Sequence, residues 1–129
     1  MLTNFEPFRI EHLGSVCVVR AVGDVDLANS DRLEKTMREA SVAHVGPVIA
    51  SFVDCTFADC SCLSVLIRAF KTLGERLHIV APPKSSLRRV LDLTNMSDAL
   101  PVHDEFSRAL FVACAPRGGM ADAVNPPCA

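Results

Sequence analysis

The chain has 129 residues, half of them hydrophobic, and its formal net charge at pH 7 is only -2. That length fits one domain with an adequate core. The 13 Lys and Arg residues are scattered, so there is no basic face of the kind that binds nucleic acid. No apolar run is long enough to span a bilayer, and the first residues lack the apolar stretch of a signal peptide. We therefore expect a cytoplasmic protein that binds neither nucleic acid nor membrane.

The first third of the chain predicts a hairpin followed by a helix. Two β-rich runs, 8–13 and 16–22, flank a Gly-Ser turn, and Gly23 begins a segment that ends the second strand. After several N-cap candidates at 29–31, apolar residues recur at helical spacing until Gly46-Pro47 stops the helix.

A buried strand and the clearest helix of the chain follow. The apolar run 48–53 predicts a strand buried on both faces, as in a largely parallel sheet. A short loop then leads to Asp59-Cys60-Ser61, which opens a helix that ends near Gly74. Its apolar residues follow the i, i+3, i+4, i+7 pattern: Leu63, Leu66, Ile67 and Phe70.

The next segments continue the alternation of strand and helix. Residues 77–81 and 100–103 predict short strands. Ser85 or Ser86 caps a helix between them, and Asp104 opens the last helix.

The element order β-β-α-β-α-β-α-β-α defines the predicted fold class. It implies a single α/β domain with a mixed, mostly parallel sheet of about five strands and about four helices. From Pro116 onward the composition turns to Pro, Gly, Ala and Asn. We therefore assign residues 1–115 to the domain and expect 116–129 to be a disordered tail.

Three local motifs occur in a fixed order: Gly23-Asp24-Val25-Asp26, Asp59-Cys60-Ser61-Cys62-Leu63 and the segment 87–96. They resemble the Gly-Glu-Leu-Asp strand end, the Asp-Ser-Ser-Gly-Leu phosphorylation loop and the third helix of the STAS domain family, the bacterial anti-sigma factor antagonists. The resemblance spans roughly residues 8–114. It implies a STAS-like fold for the single domain.

The resemblance also implies a regulatory binding protein and not an enzyme. Such a protein docks on an anti-sigma factor serine kinase and releases a sigma factor by competition, without a cofactor. The residues expected at or beside the partner-binding surface are Asp26, Asp59, Cys60, Ser61, Ser64, Lys84 and Arg88. The sequence leaves open the identity of the partner and whether the chain forms a homodimer.

Cys60 stands at the position of the family's phosphorylatable serine, and Cys62 replaces the glycine of the motif. A phosphate at this position would be held by the helix dipole and would repel an acidic partner. A thiol is not a substrate for ordinary serine kinases. We therefore expect no phosphorylation at Cys60, with Ser61 or Ser64 as substitute acceptors.

The same cysteines allow other interpretations. A helix N-terminus favours a thiolate, so Cys60 is a redox candidate, with Cys55 as a better disulfide partner than Cys62. The plainer interpretation is that Cys55, Cys60 and Cys62 are small hydrophobic residues. They lack a second Cys or His pair at ligand spacing, so we expect no metal site.

Two alternative functions remain at this stage. The spacing Cys62-x5-Arg68 matches cysteine phosphatase loops, although here the intervening residues read as an apolar helix face. A thiol-based redox enzyme or phosphatase using Cys60 or Cys62 is therefore one alternative. A STAS scaffold subunit of a signalling complex is the other.

Overall fold

The computed structural model describes residues 7–115, which form five strands and four helices. The strands are β1 (Phe8–Leu13), β2 (Val16–Val25), β3 (Val48–Ala58), β4 (Leu77–Val80) and β5 (Val102–His103). The helices are α1 (Ser30–Ala43), α2 (Cys60–Leu73), α3 (Ser86–Leu93) and α4 (Phe106–Cys114). This confirms the predicted element order. The tail predicted at 116–129 lies outside the described residues.

All five strands of the described chain belong to one sheet, in the order β1-β2-β3-β4-β5. β1 pairs antiparallel with β2, and the other three pairs are parallel. The predicted mixed, mostly parallel sheet is therefore confirmed. Because β2 and β3 run in the same direction, their carboxyl ends lie side by side at one end of the sheet.

Helices α1, α2 and α3 cover one face of the sheet, and α4 covers the other. The larger core packs fully buried leucines from the three helices, Leu33, Leu66 and Leu87, against strand residues. The smaller core places Ala109 of α4 against Val16, Val18, Ile49 and Val80. Burial on both faces explains why the first half of β3 is apolar except for Ser51. Within residues 7–115, no helix has the length and apolar character needed to cross a membrane.

Strands β2 and β3 are longer than the sequence predicted. β2 continues through Gly23 to Val25, and β3 continues to Ala58. The β2–β3 register shifts after Arg20 and again after Gly23. Gly23 has a φ of 85°, which glycine adopts without steric cost, so it bends the strand where we expected it to end. The segment predicted as a loop before α2 is therefore strand.

The helix boundaries follow the predictions except at α4. Gly74 ends α2 with a φ of 57°, and Ser85 caps α3 by accepting the Arg88 N–H at 3.2 Å. Helix α4 begins at Phe106 after Glu105, and not at Asp104. The reason is that the Asp104 carboxylate binds the Arg88 guanidinium at 2.7 Å.

Candidate functional site

The candidate site lies where β2 and β3 end side by side. Val25 pairs with Ala58, and the Asp59 N–H donates to the Val25 carbonyl at 3.3 Å. Asp26 and Asp59 are the next residues on the two chains. These two acids, both expected at the partner-binding surface, therefore follow neighbouring strand ends, where ligands commonly bind in parallel sheets.

Asp59 caps α2 and organises this end of the helix. Its Oδ1 accepts the Ser61 N–H at 2.9 Å and the Ser61 hydroxyl at 2.5 Å. The hydroxyl bond is the largest effect that lowers the pKa of the Asp59 carboxyl below its ordinary value. The backbone N–H groups of Ser61, Cys62 and Leu27 lower it further. Asp59 is therefore an ionised N-cap that also holds the loop between β2 and α1.

The loop between β2 and α1 is fixed by its own polar side chains. Oδ1 of Asp26 accepts the Ala28 N–H at 3.0 Å, and Oδ1 of Asn29 accepts the Asp26 N–H at 3.0 Å. The Asn29 amide also donates to the Asp24 carbonyl at 2.9 Å. Because these bonds occupy its side chain, Asn29 makes no side-chain cap for α1. The loop presents Leu27 to solvent, with 78% of its surface exposed.

Ser86 holds the other side of the β3 end, where β4 no longer provides a partner. The last β3–β4 pair is Ser51 with Val80, seven residues before Ala58. The Ser86 hydroxyl donates to the Ala58 carbonyl and accepts the Ala58 N–H, both at 3.1 Å. Sequence reasoning treated Ser86 only as a cap candidate, because a lone serine gives no signal of a bond to a distant strand.

The three redox candidates lie in different environments. Cys55, Cys60 and Cys62 are all free thiols, and only Cys60 is exposed. Burial raises the pKa of Cys62, and the neighbouring Cys55 raises it further. Burial also raises the pKa of Cys55, whose thiol donates to the Phe57 carbonyl at 3.2 Å. Among these three, Cys60 is the most exposed, Cys55 is partly buried and Cys62 is buried.

The two substitute phosphorylation candidates are both hydrogen-bonded. Ser61 is half-buried, and its hydroxyl donates to Asp59. Ser64 is exposed, and its hydroxyl donates to the Cys60 carbonyl at 3.2 Å.

The two basic candidates differ in availability. Lys84 is exposed in the turn before α3. Arg88 is half-buried, and its guanidinium donates to the Ala81 carbonyl at 2.9 Å as well as to Asp104. It therefore joins α3 to the ends of β4 and β5.

Exposed apolar residues flank the acids, and the sequence analysis did not single them out. Leu27 and Phe57, the latter 46% exposed, lie on the two segments that carry Asp26 and Asp59. Leu27 is the one large apolar residue of its loop, and this feature of the sequence could have identified it as a candidate site residue. We define the tip surface as Asp26, Leu27, Phe57, Asp59, Cys60 and Ser61.

The residues that suggested phosphatase chemistry do not form an anion cradle. Cys62 is buried within regular helix. Arg68 binds both carboxylate oxygens of Glu34 on α1, each at 3.0 Å. Residues 7–115 also contain no group of three His, Cys, Asp or Glu side chains placed to hold a metal ion.

The fold and the tip surface define a small α/β domain with an exposed, charged end. A sequence model of the STAS domain matches residues 7–109, and the chain belongs to this family. The Anti-sigma F factor antagonist of Paenibacillus polymyxa is 27% identical over 107 residues, which is 78% of this chain and 89% of that protein.

Solved structures show the same fold. An anti-sigma factor antagonist from Mycobacterium paratuberculosis has a TM-score of 0.76 at 21% identity, covering 82% of this chain and 92% of that one. The anti-sigma factor antagonist SpoIIAA in its unphosphorylated form has a TM-score of 0.59 at 16% identity, covering 81% and 94%. SpoIIAA of Bacillus has also been solved in its phosphorylated form.

The Asp59 cap predicts a pH-dependent loss of stability. Asp59→Ala is expected to lower the free energy of unfolding by about 1 kcal/mol at neutral pH. Folding lowers the pKa of Asp59, so its contribution is present above the unfolded pKa and is lost as the pH falls through the folded pKa. Urea unfolding of both proteins at neutral and acidic pH should show the difference shrinking in acid.

The matched control is Asp98→Ala, which removes an exposed carboxylate from the turn after α3. It should change stability by less than about 0.5 kcal/mol. A difference between wild type and Asp59→Ala that stays constant with pH would contradict the role of the ionised cap.

The thiol environments predict an order of oxidation. Under a peroxide titration with differential alkylation, Cys60 should react before Cys17, Cys55 and Cys62, because burial raises the pKa of those three thiols. Mass spectrometry of each peptide measures the order. Equal, slow labelling of all four would leave Cys60 without a sensing role.

Proposed function

We propose that the chain is an anti-sigma factor antagonist, which binds an anti-sigma factor through the tip surface and so frees a sigma factor in the cytoplasm. Family membership and the name of the Paenibacillus relative support this. The carrying observation is that Leu27 and Phe57 are exposed beside the ionised Asp59. Apolar contacts ringed by charge are typical of protein interfaces. Competition for a shared surface makes and breaks no covalent bond, so the proposed function is not enzymatic.

We propose an anti-sigma factor serine kinase as the partner, on the basis of the family resemblance. A phosphate at the start of α2 would add a charge of about -1.5 to -2 to a surface that already holds two carboxylates. Lys84 is exposed in the turn before α3 and would pair with acidic groups of the partner. Arg88 would contribute only if it gave up its bonds to Ala81 and Asp104.

We further propose that phosphorylation does not switch this chain at the tip. Cys60 lacks the hydroxyl that a serine kinase needs. Phosphate on Ser61 would break its bond to Asp59 and place two anions side by side. Phosphate on Ser64 would disrupt its bond to the Cys60 carbonyl within the first turns of α2. Binding to the partner would then be constitutive, or governed by the state of the Cys60 thiol.

A new charge at the tip should weaken partner binding. Cys60→Asp is expected to reduce affinity for the cognate kinase by about 1 to 3 kcal/mol, through like-charge and desolvation costs. Leu27→Ala should also weaken binding, because it removes exposed apolar surface from the contact. Calorimetric titration of the purified kinase measures both, and release of sigma factor from its complex with the kinase gives the functional readout.

Two variants serve as controls for this experiment. Cys60→Ser keeps the size and neutrality of the side chain, and Arg89→Glu changes the charge of an exposed residue on α3 that is not part of the tip surface. In the absence of ATP, both should bind as wild type does. If Cys60→Asp and Leu27→Ala also bound as wild type, the interface would lie elsewhere on the domain.

The missing hydroxyl predicts the outcome of a kinase assay. Incubated with the cognate kinase and ATP, the wild-type chain should give little stable phosphoprotein, whereas Cys60→Ser should become phosphorylated at residue 60. Intact-protein mass spectrometry with peptide mapping measures both. Stoichiometric phosphorylation of wild type on Ser61 or Ser64 would overturn this part of the proposal.

A further inference from the structure

Strand β1 forms an open edge of the sheet. It pairs with β2 and, among the described strands, with no other. The Val22 N–H donates to the Pro7 carbonyl at 2.8 Å, which fixes the alternation of hydrogen-bonded pairs along this antiparallel ladder. Arg9, Glu11 and Leu13 therefore bond to β2. Their neighbours direct backbone N–H and C=O groups toward the open edge: Phe8, Ile10 and His12.

Among the described residues, Arg9 of this edge faces a like charge on β2. Arg9 lies directly opposite Arg20 in the β1–β2 register, an arrangement of like charges that destabilises a sheet. Arg20 is compensated by Glu11 at 3.3 Å and Asp54 at 3.2 Å. Arg9 is exposed and has no ion pair within residues 7–115. An additional carboxylate beside Arg9 would relieve this repulsion.

We propose that a second copy of this chain pairs antiparallel with β1, with Ile10 on the two-fold axis. The outward backbone groups of Phe8 then pair with those of His12 in the other copy, and those of Ile10 pair with Ile10. This forms about six main-chain hydrogen bonds and continues the sheet across both molecules. A two-fold interface of this kind closes on itself and leaves no open β1 edge.

Charge selects this register over its neighbours. A two-fold axis at Arg9 would place Arg9 against itself, and an axis at Glu11 would place Glu11 against itself. Only the axis at Ile10 places Arg9 of each copy opposite Glu11 of the other copy, which gives two such pairs. These are non-hydrogen-bonded positions of the new ladder, where facing side chains approach most closely.

The face of β1 next to α1 also suits a second copy. Ile10 is 39% exposed there, and with Phe8 it borders a groove of about 370 Å³ whose remaining walls belong to α1. The polar lining residues are Arg32, Lys35, Thr36 and Glu39. In the proposed dimer the two Ile10 side chains face each other beside this groove. The buried area is modest, so we expect a weak dimer that forms at roughly 0.1–1 mM chain.

The test is a charge exchange measured by sedimentation equilibrium on the full chain. Arg9→Glu gives an edge with two acids, and Glu11→Arg gives an edge with two bases. Each variant alone should lose self-association, because like charges would face each other across the axis. An equimolar mixture should recover it, because each acidic edge then faces a basic one. Arg89→Glu, with the same charge change on α3, should associate as wild type does.

Circular dichroism and thermal unfolding establish that each variant folds. A second measurement uses disulfide trapping in a Cys60→Ser background. Ile10→Cys should cross-link, because Cα atoms of hydrogen-bonded antiparallel pairs lie about 5.5 Å apart. Arg9→Cys should not, because it faces Glu11.

Three results would overturn the proposal. One is a wild type that stays monomeric up to about 1 mM, the upper end of the range expected for this weak interface. The second is association of the single variants equal to that of wild type. The third is a mixture no more associated than its components. None of these results bears on the tip surface, so the proposed function stands or falls separately.

Discussion

The tip of this domain depends on the parallel pairing of β2 with β3, which extends to the last residue of each strand. The Val25–Ala58 pair and the Asp59 N–H bond to Val25 fix where both chains leave the sheet. Asp59 can then reach the first turn of α2 and the Leu27 N–H with one carboxylate. The helix start and the loop are thus held by one ionised group, and the strand end is held by the backbone N–H of the same residue. A shift of one residue in this register would leave the cap of α2 intact but would move Asp59 away from the Leu27 N–H.

The element order and sheet class could be predicted because they depend on local patterns. The apolar run of β3, the helical spacing in α2 and Gly74 each follow from short-range chemistry. Each is found as predicted, except that Val53 at the end of the apolar run is exposed. The ends of β2 and β3 could not be predicted in this way. Gly23 and Asp54 are poor strand residues, and only the partner strand makes the extended conformation favourable there.

The candidate site was predictable in part for the same reason. Asp59 at the start of α2 is a local signal, and its capping role is found. The double bond of Ser86 to Ala58 joins residues 28 apart, and the binding of Arg88 to Asp104 joins residues 16 apart. No periodicity or composition of the sequence predicts either contact. Which of the named residues contact a partner stays a prediction.

The two cysteines of α2, Cys60 and Cys62, lie in different environments because the helix directs their side chains to different sides. Cys62 faces the core, where a thiol packs as a small apolar group and the motif's usual glycine would leave space unfilled. Cys60 faces solvent at the capped end. A thiol at that exposed position has no hydroxyl to accept a phosphate. Cys62, which replaces the glycine of the motif, contributes only to packing.

The unequal lengths of β3 and β4 divide the sheet into two regions of different cooperativity. Beyond the Ser51–Val80 pair, β2 and β3 continue as a two-stranded ribbon, braced on its outer side by Ser86. Such a ribbon buries little apolar surface, since most of residues 53–57 are solvent-facing. Its backbone amides should therefore open to hydrogen exchange in a local step that leaves the five-stranded core intact. The end of the molecule that carries Asp26, Asp59 and Cys60 can adjust its shape at a small fraction of the global unfolding free energy.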